Sequence, residues 1–269
     1  MPYVTVGREN SGDIQICYED HGTGMPVVLI HGYLADGHSW EKQETTLLAA
    51  GYRVISYDRR GGGASSRPAG GYDYDTLSAD LNVLLETLDV RGAVLVGCCS
   101  GTGEVTRYLG THRPARVRAA ALLAPLPPLL RWSADRHSFL TALASDRPAA
   151  IKAHLDRHYN VDLLGGGRVS DQAWQNSFHV AIRASAAAAV GGALAWQEDF
   201  RADVARITVP VLIVQGALDQ IMPPAETGDR LAAMLADARA VVIPGGGHAI
   251  TWTHAAEING ALTGFLRAL

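Results

Sequence analysis

The chain has 269 residues, of which 48% are hydrophobic, and its 23 basic and 27 acidic side chains give a formal charge of −4. Such a composition excludes intrinsic disorder, and a chain of this length buries roughly three quarters of its unfolded surface in a core. Lys42 and Lys152 are the only lysines and no basic run occurs, which excludes a nucleic-acid surface.

Short runs rich in Val, Ile and Leu alternate with amphipathic segments, the pattern of an α/β chain whose mostly parallel sheet is covered by helices on both faces. Strands are predicted over Tyr3–Gly7, Ile14–Glu19 and Val27–Ile30, then a helix over Ser39–Ala49 and a strand over Arg53–Tyr57. A helix over Thr76–Leu88, a strand over Ala93–Gly97, a helix over Ser100–Thr111 and a strand over Val117–Leu123 follow. After Pro125 the rhythm breaks for about eighty residues, with helical segments separated by Pro127, Pro128, Pro148 and Gly165 to Gly167. A structureless loop of that length is implausible, so residues 125–206 are expected to form a helical cap inserted into a core of residues 1–124 and 207–269. The core resumes with strands over Val211–Gln215 and Ala238–Ile243 and helices over Ala225–Ala236 and Thr253–Arg267, making eight strands in all.

No window approaches ~18 uninterrupted apolar residues, and Met1 to Asn10 lacks a basic segment followed by an apolar stretch. Neither a membrane partner nor a secretion signal is expected. Cys98 and Cys99 are sequence neighbours that rarely bridge, and with Cys17 they give no disulfide framework, so the expected location is cytoplasmic.

The segment Val94-Leu95-Val96-Gly97-Cys98-Cys99-Ser100-Gly101 has the form of a nucleophile elbow: an apolar strand, a tight turn, then a helix. The turn needs small residues two before and two after its apex. Gly97 and Gly101 bracket Cys99 in that way, whereas Ser100 would be bracketed by Cys98 and Thr102, so Cys99 is the candidate nucleophile. At a helix start its thiolate gains from the helix dipole and from a neighbouring histidine. The His31-Gly32-Tyr33 loop after an early strand can direct the Tyr33 amide at the same point as the Ser100 amide, forming a candidate oxyanion hole. Asp219 follows an apolar strand and His248 follows Pro244-Gly245-Gly246-Gly247, which completes the order nucleophile, acid, histidine expected of an α/β-hydrolase.

With these motifs the chain resembles, nearly end to end, the cofactor-free haloperoxidase, perhydrolase and esterase branch of the α/β-hydrolases. The resemblance extends to Tyr18-Glu19-Asp20-His21-Gly22-Thr23-Gly24, Gly37-His38-Ser39-Trp40, Asp58-Arg59-Arg60-Gly61-Gly62-Gly63 and Trp252-Thr253-His254. It implies catalytic roles for Cys99, Asp219 and His248, oxyanion roles for Tyr33 and Ser100, and no cofactor. Three positions depart from the family: Cys99 stands where it has serine, Ser100 where it has methionine, and Leu34 where its perhydrolysing members have proline.

Leu34, Trp132 and Trp196 are the candidate substrate-binding residues, the tryptophans lining an acyl pocket or packing the lid. His31 reads as a hydrogen-bonding residue beside the oxyanion loop. His154 and His158 have metal-compatible spacing but no third ligand and no HExxH glutamate, so no metal is expected. A thiolate is oxidised by peroxide, and its acyl product is a thioester. The sequence therefore favours hydrolysis, transfer or cyclisation of a thioester or activated ester. Alternatives are a lactone or small-ester hydrolase, a cofactor-free perhydrolase or haloperoxidase, and a non-catalytic binding protein. The expected partner is a small-molecule acyl substrate, free or presented by a carrier protein, and a homo-oligomer stays open.

Overall fold

The computed structural model describes residues 1–112, 114–130, 133–164 and 169–269, excepting the side chains of 114, 163 and 164. Trp132 and the Gly165 to Gly167 break lie outside the described residues. Eight strands form one sheet in the order β1-β2-β4-β3-β5-β6-β7-β8. They are β1 (Tyr3–Glu9), β2 (Gly12–His21), β3 (Pro26–Ile30), β4 (Arg53–Tyr57), β5 (Ala93–Cys98), β6 (Val117–Leu123), β7 (Val211–Gly216) and β8 (Ala238–Ile243). β2 pairs antiparallel with β1 and β4, and every pairing from β4 onward is parallel.

Side chains of successive strand residues point to opposite faces, which splits the core in two. Val28, Ile30, Ile55 and Leu95 belong to one cluster, while Val27, Leu29, Val54, Val94 and Val96 belong to the other. That division explains why the central strands read as unbroken apolar runs rather than as alternating ones. Each fully buried side chain of this size contributes about 1.5–3 kcal/mol through loss of contact with water.

The core helices are α1 (Glu41–Ala49), α2 (Tyr74–Thr87) and α3 (Ser100–Thr111), and, after the cap, α10 (Gly228–Met234), α11 (Ile250–Thr253) and α12 (Ala255–Arg267). Between β6 and β7 the chain forms α4 (Ala134–Ser145), α5 (Arg147–His158), α6 (Val161–Leu164), α7 (Asp171–Arg183), α8 (Ala186–Ala195) and α9 (Arg201–Val204). Side-chain oxygens of Ser133, Asp146, Ser170 and Ser185 accept backbone N–H bonds at the starts of α4, α5, α7 and α8. Local capping thus sets where these helices begin. The helix expected over Thr253–Arg267 is α12, which begins two residues later, and the short α11 precedes it with His254 between them. The one expected over Ala225–Ala236 is a 3-10 turn over Pro224–Glu226 followed by the shorter α10, which begins after Thr227 at φ −122°. Among the described residues no single helix is long and apolar enough to cross a membrane.

Candidate active site

β5 delivers Cys99 to the turn before α3 with φ +52° and ψ −122°, in the left-handed half of backbone space that non-glycine residues rarely occupy. Such strain persists only where the surroundings over-determine it. They do so here because the strand and helix backbones touch. A Cβ on Gly97 would lie 2.7 Å from the Gly101 carbonyl oxygen, and one on Gly101 would lie 2.7 Å from that of His31. The turn therefore closes only with glycine at both places.

Three groups converge on the buried Cys99 sulfur. The backbone N–H groups of Tyr33 and Ser100 donate to it, and His248 interacts with it from the loop after β8. Burial alone raises the pKa of this thiol, but the charge and hydrogen bond of His248 and the two amides outweigh burial and hold it below the ordinary thiol value. Burial likewise lowers the pKa of His248, yet Asp219 and Cys99 drive it well above that of a free imidazole. Both shifts act in the direction of thiolate and imidazolium. Cys98, one residue earlier, titrates above the usual thiol range because burial and the Cys99 charge both oppose its ionisation. Electrostatics thus separates two adjacent cysteines that composition cannot.

His248 Nδ1 lies 2.7 Å from Asp219 Oδ2, and its Nε2, with no conventional hydrogen-bond partner, is left for the sulfur. The Asp219 carboxylate also accepts from the amides of Ile221 and Met222, at 2.9 and 2.8 Å, and from Gln215 Nε2 at 3.0 Å. Four donors thus fix its orientation. Gln215 is the one polar side chain within the apolar run of β7, a signal in the sequence that went unread.

Beneath the oxyanion loop His31 is neutral, its pKa lowered to about 3 by burial and by Arg59. Its Nε2 accepts from the Arg59 amide at 2.9 Å and its Nδ1–H donates to Gly32 O at 2.8 Å. The Arg59 guanidinium donates to Gly32 O at 2.9 Å and to Ser100 Oγ at 2.7 Å, tying the loop to the elbow. Buried Glu104 lies 3.8 Å from Arg59, accepts from the Tyr57 hydroxyl, and has a pKa raised to about 7 by burial. None of these roles except that of His31 was legible beforehand.

A cavity of about 130 Å³ opens beside the sulfur and is lined by Cys98, Cys99, Leu34, His154, His158 and Trp252, among others. Leu34 is thus brought to the site, at φ +54°. Trp196 is not: it packs edge-on behind Tyr33 with ring centroids 4.7 Å apart, and so supports the oxyanion loop. The segment between β6 and β7 also braces the loops that carry Asp219 and His248. Buried Asn160, in the left-handed conformation that ends α5, donates from Nδ2 to Leu218 O at 2.8 Å and accepts from Gln220 Nε2 at 3.2 Å. The Ala249 amide, one residue past His248, donates to His158 O at 3.0 Å. A buried cysteine facing two amides, with an oriented imidazole beside it, has the groups needed, once ionised, to attack a carbonyl carbon and hold the resulting oxyanion.

The alpha/beta hydrolase fold family matches residues 25–255. A chain from Synechocystis sp., named provisionally as a non-heme chloroperoxidase, is 50% identical over 99% of this chain and all of its own length. A bifunctional esterase/perhydrolase from Acinetobacter calcoaceticus is 30% identical over the whole of both chains. The crystal structure of a bromoperoxidase from Bacillus anthracis superposes with a TM-score of 0.95 at 36% identity, covering 99% of each chain. The protein therefore belongs to the α/β-hydrolase family, in the branch that holds non-haem haloperoxidases and esterases.

Proposed function

We propose that the protein is a hydrolase of small carboxylic esters or lactones that works through an acyl-Cys99 intermediate. The observation that carries this reading is the convergence of His248 and the Tyr33 and Ser100 amides on one sulfur at the elbow apex. The thiolate attacks the ester carbonyl, the two amides hold the oxyanion, and the His248 imidazolium gives its proton to the departing alkoxide. Neutral His248 then takes a proton from water, which releases the acid and restores the thiolate and imidazolium. The thioester transfer or cyclisation favoured by sulfur chemistry gives way to ester hydrolysis, because the relatives are named for haloperoxidase and esterase activity.

Perhydrolysis is the second reading, since one relative is named for it. Two observations weigh against it. Proline, the residue of the perhydrolysing members at this position, is locked near φ −65°, whereas Leu34 sits at +54°. A thiolate lining an open cavity is also itself the target of peroxide.

Intact-mass analysis after mixing with p-nitrophenyl esters, lactones and acyl thioesters tests the proposal. An acyl adduct that maps to Cys99, decays in water and is absent from Cys99→Ala is expected. Turnover by Cys99→Ala, or sustained peracid formation without oxidation of Cys99, would refute it.

A further inference from the structure

The wall of the catalytic cavity opposite the elbow is built from the cap, and its chemistry is not used by the triad. His154 and His158, one turn apart on α5, both line the cavity that contains Cys99. The His158 ring stands edge-on to that of His248, with centroids 5.2 Å apart. His154 stacks on Phe139 at 5.4 Å and meets Tyr33 edge-on at 5.5 Å. Both rings are thus held in place by packing, yet neither hydrogen-bonds to another described residue. Burial and the neighbouring His248 charge keep both below the ordinary histidine pKa, His154 at about 3, so both are neutral. A neutral imidazole offers one N–H donor and one acceptor nitrogen. Beside them lie Ser177, paired with the Tyr159 hydroxyl at 2.7 Å, and Asn176, while Leu34 and Val180 give the cavity apolar surface.

We infer that His154 and His158 form a hydrogen-bonding subsite for an oxygen function of the substrate, a hydroxyl or keto group beyond the scissile carbonyl. The inference rests on the proposed ester hydrolysis and narrows its substrate class to short oxygenated esters and lactones. Size agrees: a cavity of roughly 150 Å³ holds a benzene ring, so about 130 Å³ accommodates a group of similar bulk. Polar groups left unpaired when the wrong substrate binds are a strong source of discrimination, whereas filling an apolar pocket discriminates weakly.

The test uses isosteric pairs. On the acyl side, p-nitrophenyl 3-hydroxybutanoate is compared with p-nitrophenyl 3-methylbutanoate; on the alcohol side, 2-hydroxyethyl butanoate is compared with propyl butanoate. At least a tenfold higher kcat/KM for the oxygenated member of one pair is expected, and the responding pair shows which side of the ester occupies the subsite. His154→Phe or His158→Phe should bring that ratio close to one, while His158→Gln, which still hydrogen-bonds, should retain part of it. Because each variant is compared with itself on the plain ester, loss of folded protein does not move the ratio. Protection of Cys99 from iodoacetamide by the same compounds reads binding without turnover. Selective protection with no acyl-Cys99 would keep the subsite and remove the ester-hydrolase reading. Equal rates and equal protection within both pairs, or a preference unchanged in both phenylalanine variants, would overturn the inference and leave the hydrolase reading standing.

Discussion

Asn160 offers the sharpest test of how the cap and the catalytic loops are joined. Replacing it by glycine preserves the backbone, since φ +52° is open to glycine, and removes only the side-chain amide. Two part-buried hydrogen bonds are lost, to Leu218 O and from Gln220 Nε2. Each costs about 1–3 kcal/mol if its partner stays unsatisfied and less if water replaces it. A total of about 2–4 kcal/mol is smaller than the ~5–15 kcal/mol that stabilises an ordinary domain, so the variant should fold. Catalysis is more exposed than stability, because Leu218 adjoins Asp219 and a misplacement near 1 Å costs on the order of 100-fold in rate. Once Asp219 slackens, His248 holds its proton less firmly and stabilises the Cys99 thiolate less. Iodoacetamide alkylation of Cys99, followed against pH, should therefore shift towards the ordinary thiol range, and kcat/KM on a p-nitrophenyl ester should fall about 10- to 100-fold. Asn160→Asp keeps the shape but sets a carboxylate against the Leu218 carbonyl, and should do at least as much damage. An Asn160→Gly enzyme with wild-type turnover and alkylation profile would refute the reasoning.

Further outcomes follow from the same geometry. Cys99→Ala should abolish both ester turnover and the low-pH alkylation signal, whereas Cys98→Ala should keep most of each; equal loss from the two, scored by mass spectrometry, would reassign the nucleophile. In the wild type the lowered thiol pKa means that alkylation persists as pH falls below about 8.5. In His248→Gln the imidazolium is gone and burial remains, so the profile should move upward; a stationary profile would exclude His248 as the partner. Arg59→Met should cost about 1–3 kcal/mol in urea unfolding because it removes the donor to Gly32 O and Ser100 Oγ, while Glu104, with a pKa already at about 7, protonates rather than staying as an unpaired charge. Gly101→Ala should lower stability by about 1–3 kcal/mol or prevent folding, since its methyl would press on the His31 and Ile30 carbonyls.

The middle of the sheet was legible because its central strands are apolar on both faces and so stand out as continuous runs. The elbow was legible for a steric reason: two glycines at fixed offsets are required where this strand turns straight into a helix. What escaped the sequence depends on contacts between distant segments. Nothing local in Tyr159-Asn160-Val161 says that the amide will reach Leu218, 58 residues away. At most, asparagine suits the left-handed end of a helix. Trp196 illustrates the converse. Its bulk and its place in the cap suggested contact with substrate, yet aromatic packing carried it behind Tyr33, where it shapes the oxyanion loop from outside.

Sulfur at position 99 alters more than the identity of the nucleophile. A serine hydroxyl rests neutral, and its histidine takes the proton only as attack proceeds. In the proposed mechanism the charge is on the sulfur before attack, and the Tyr33 and Ser100 amides that would hold a substrate oxyanion already face it. Attack must transfer those bonds from sulfur to the new oxyanion, so part of their stabilisation exists before the reaction begins and does not lower the barrier. The thiolate is also a better leaving group than an alkoxide, so a tetrahedral adduct collapses back to substrate unless the alcohol departs readily. Both effects point the same way: the enzyme should act best on esters whose alcohol leaves easily, such as aryl esters and strained lactones. Cys99→Ser should narrow the gap between aryl and alkyl esters even as it lowers the rate on both.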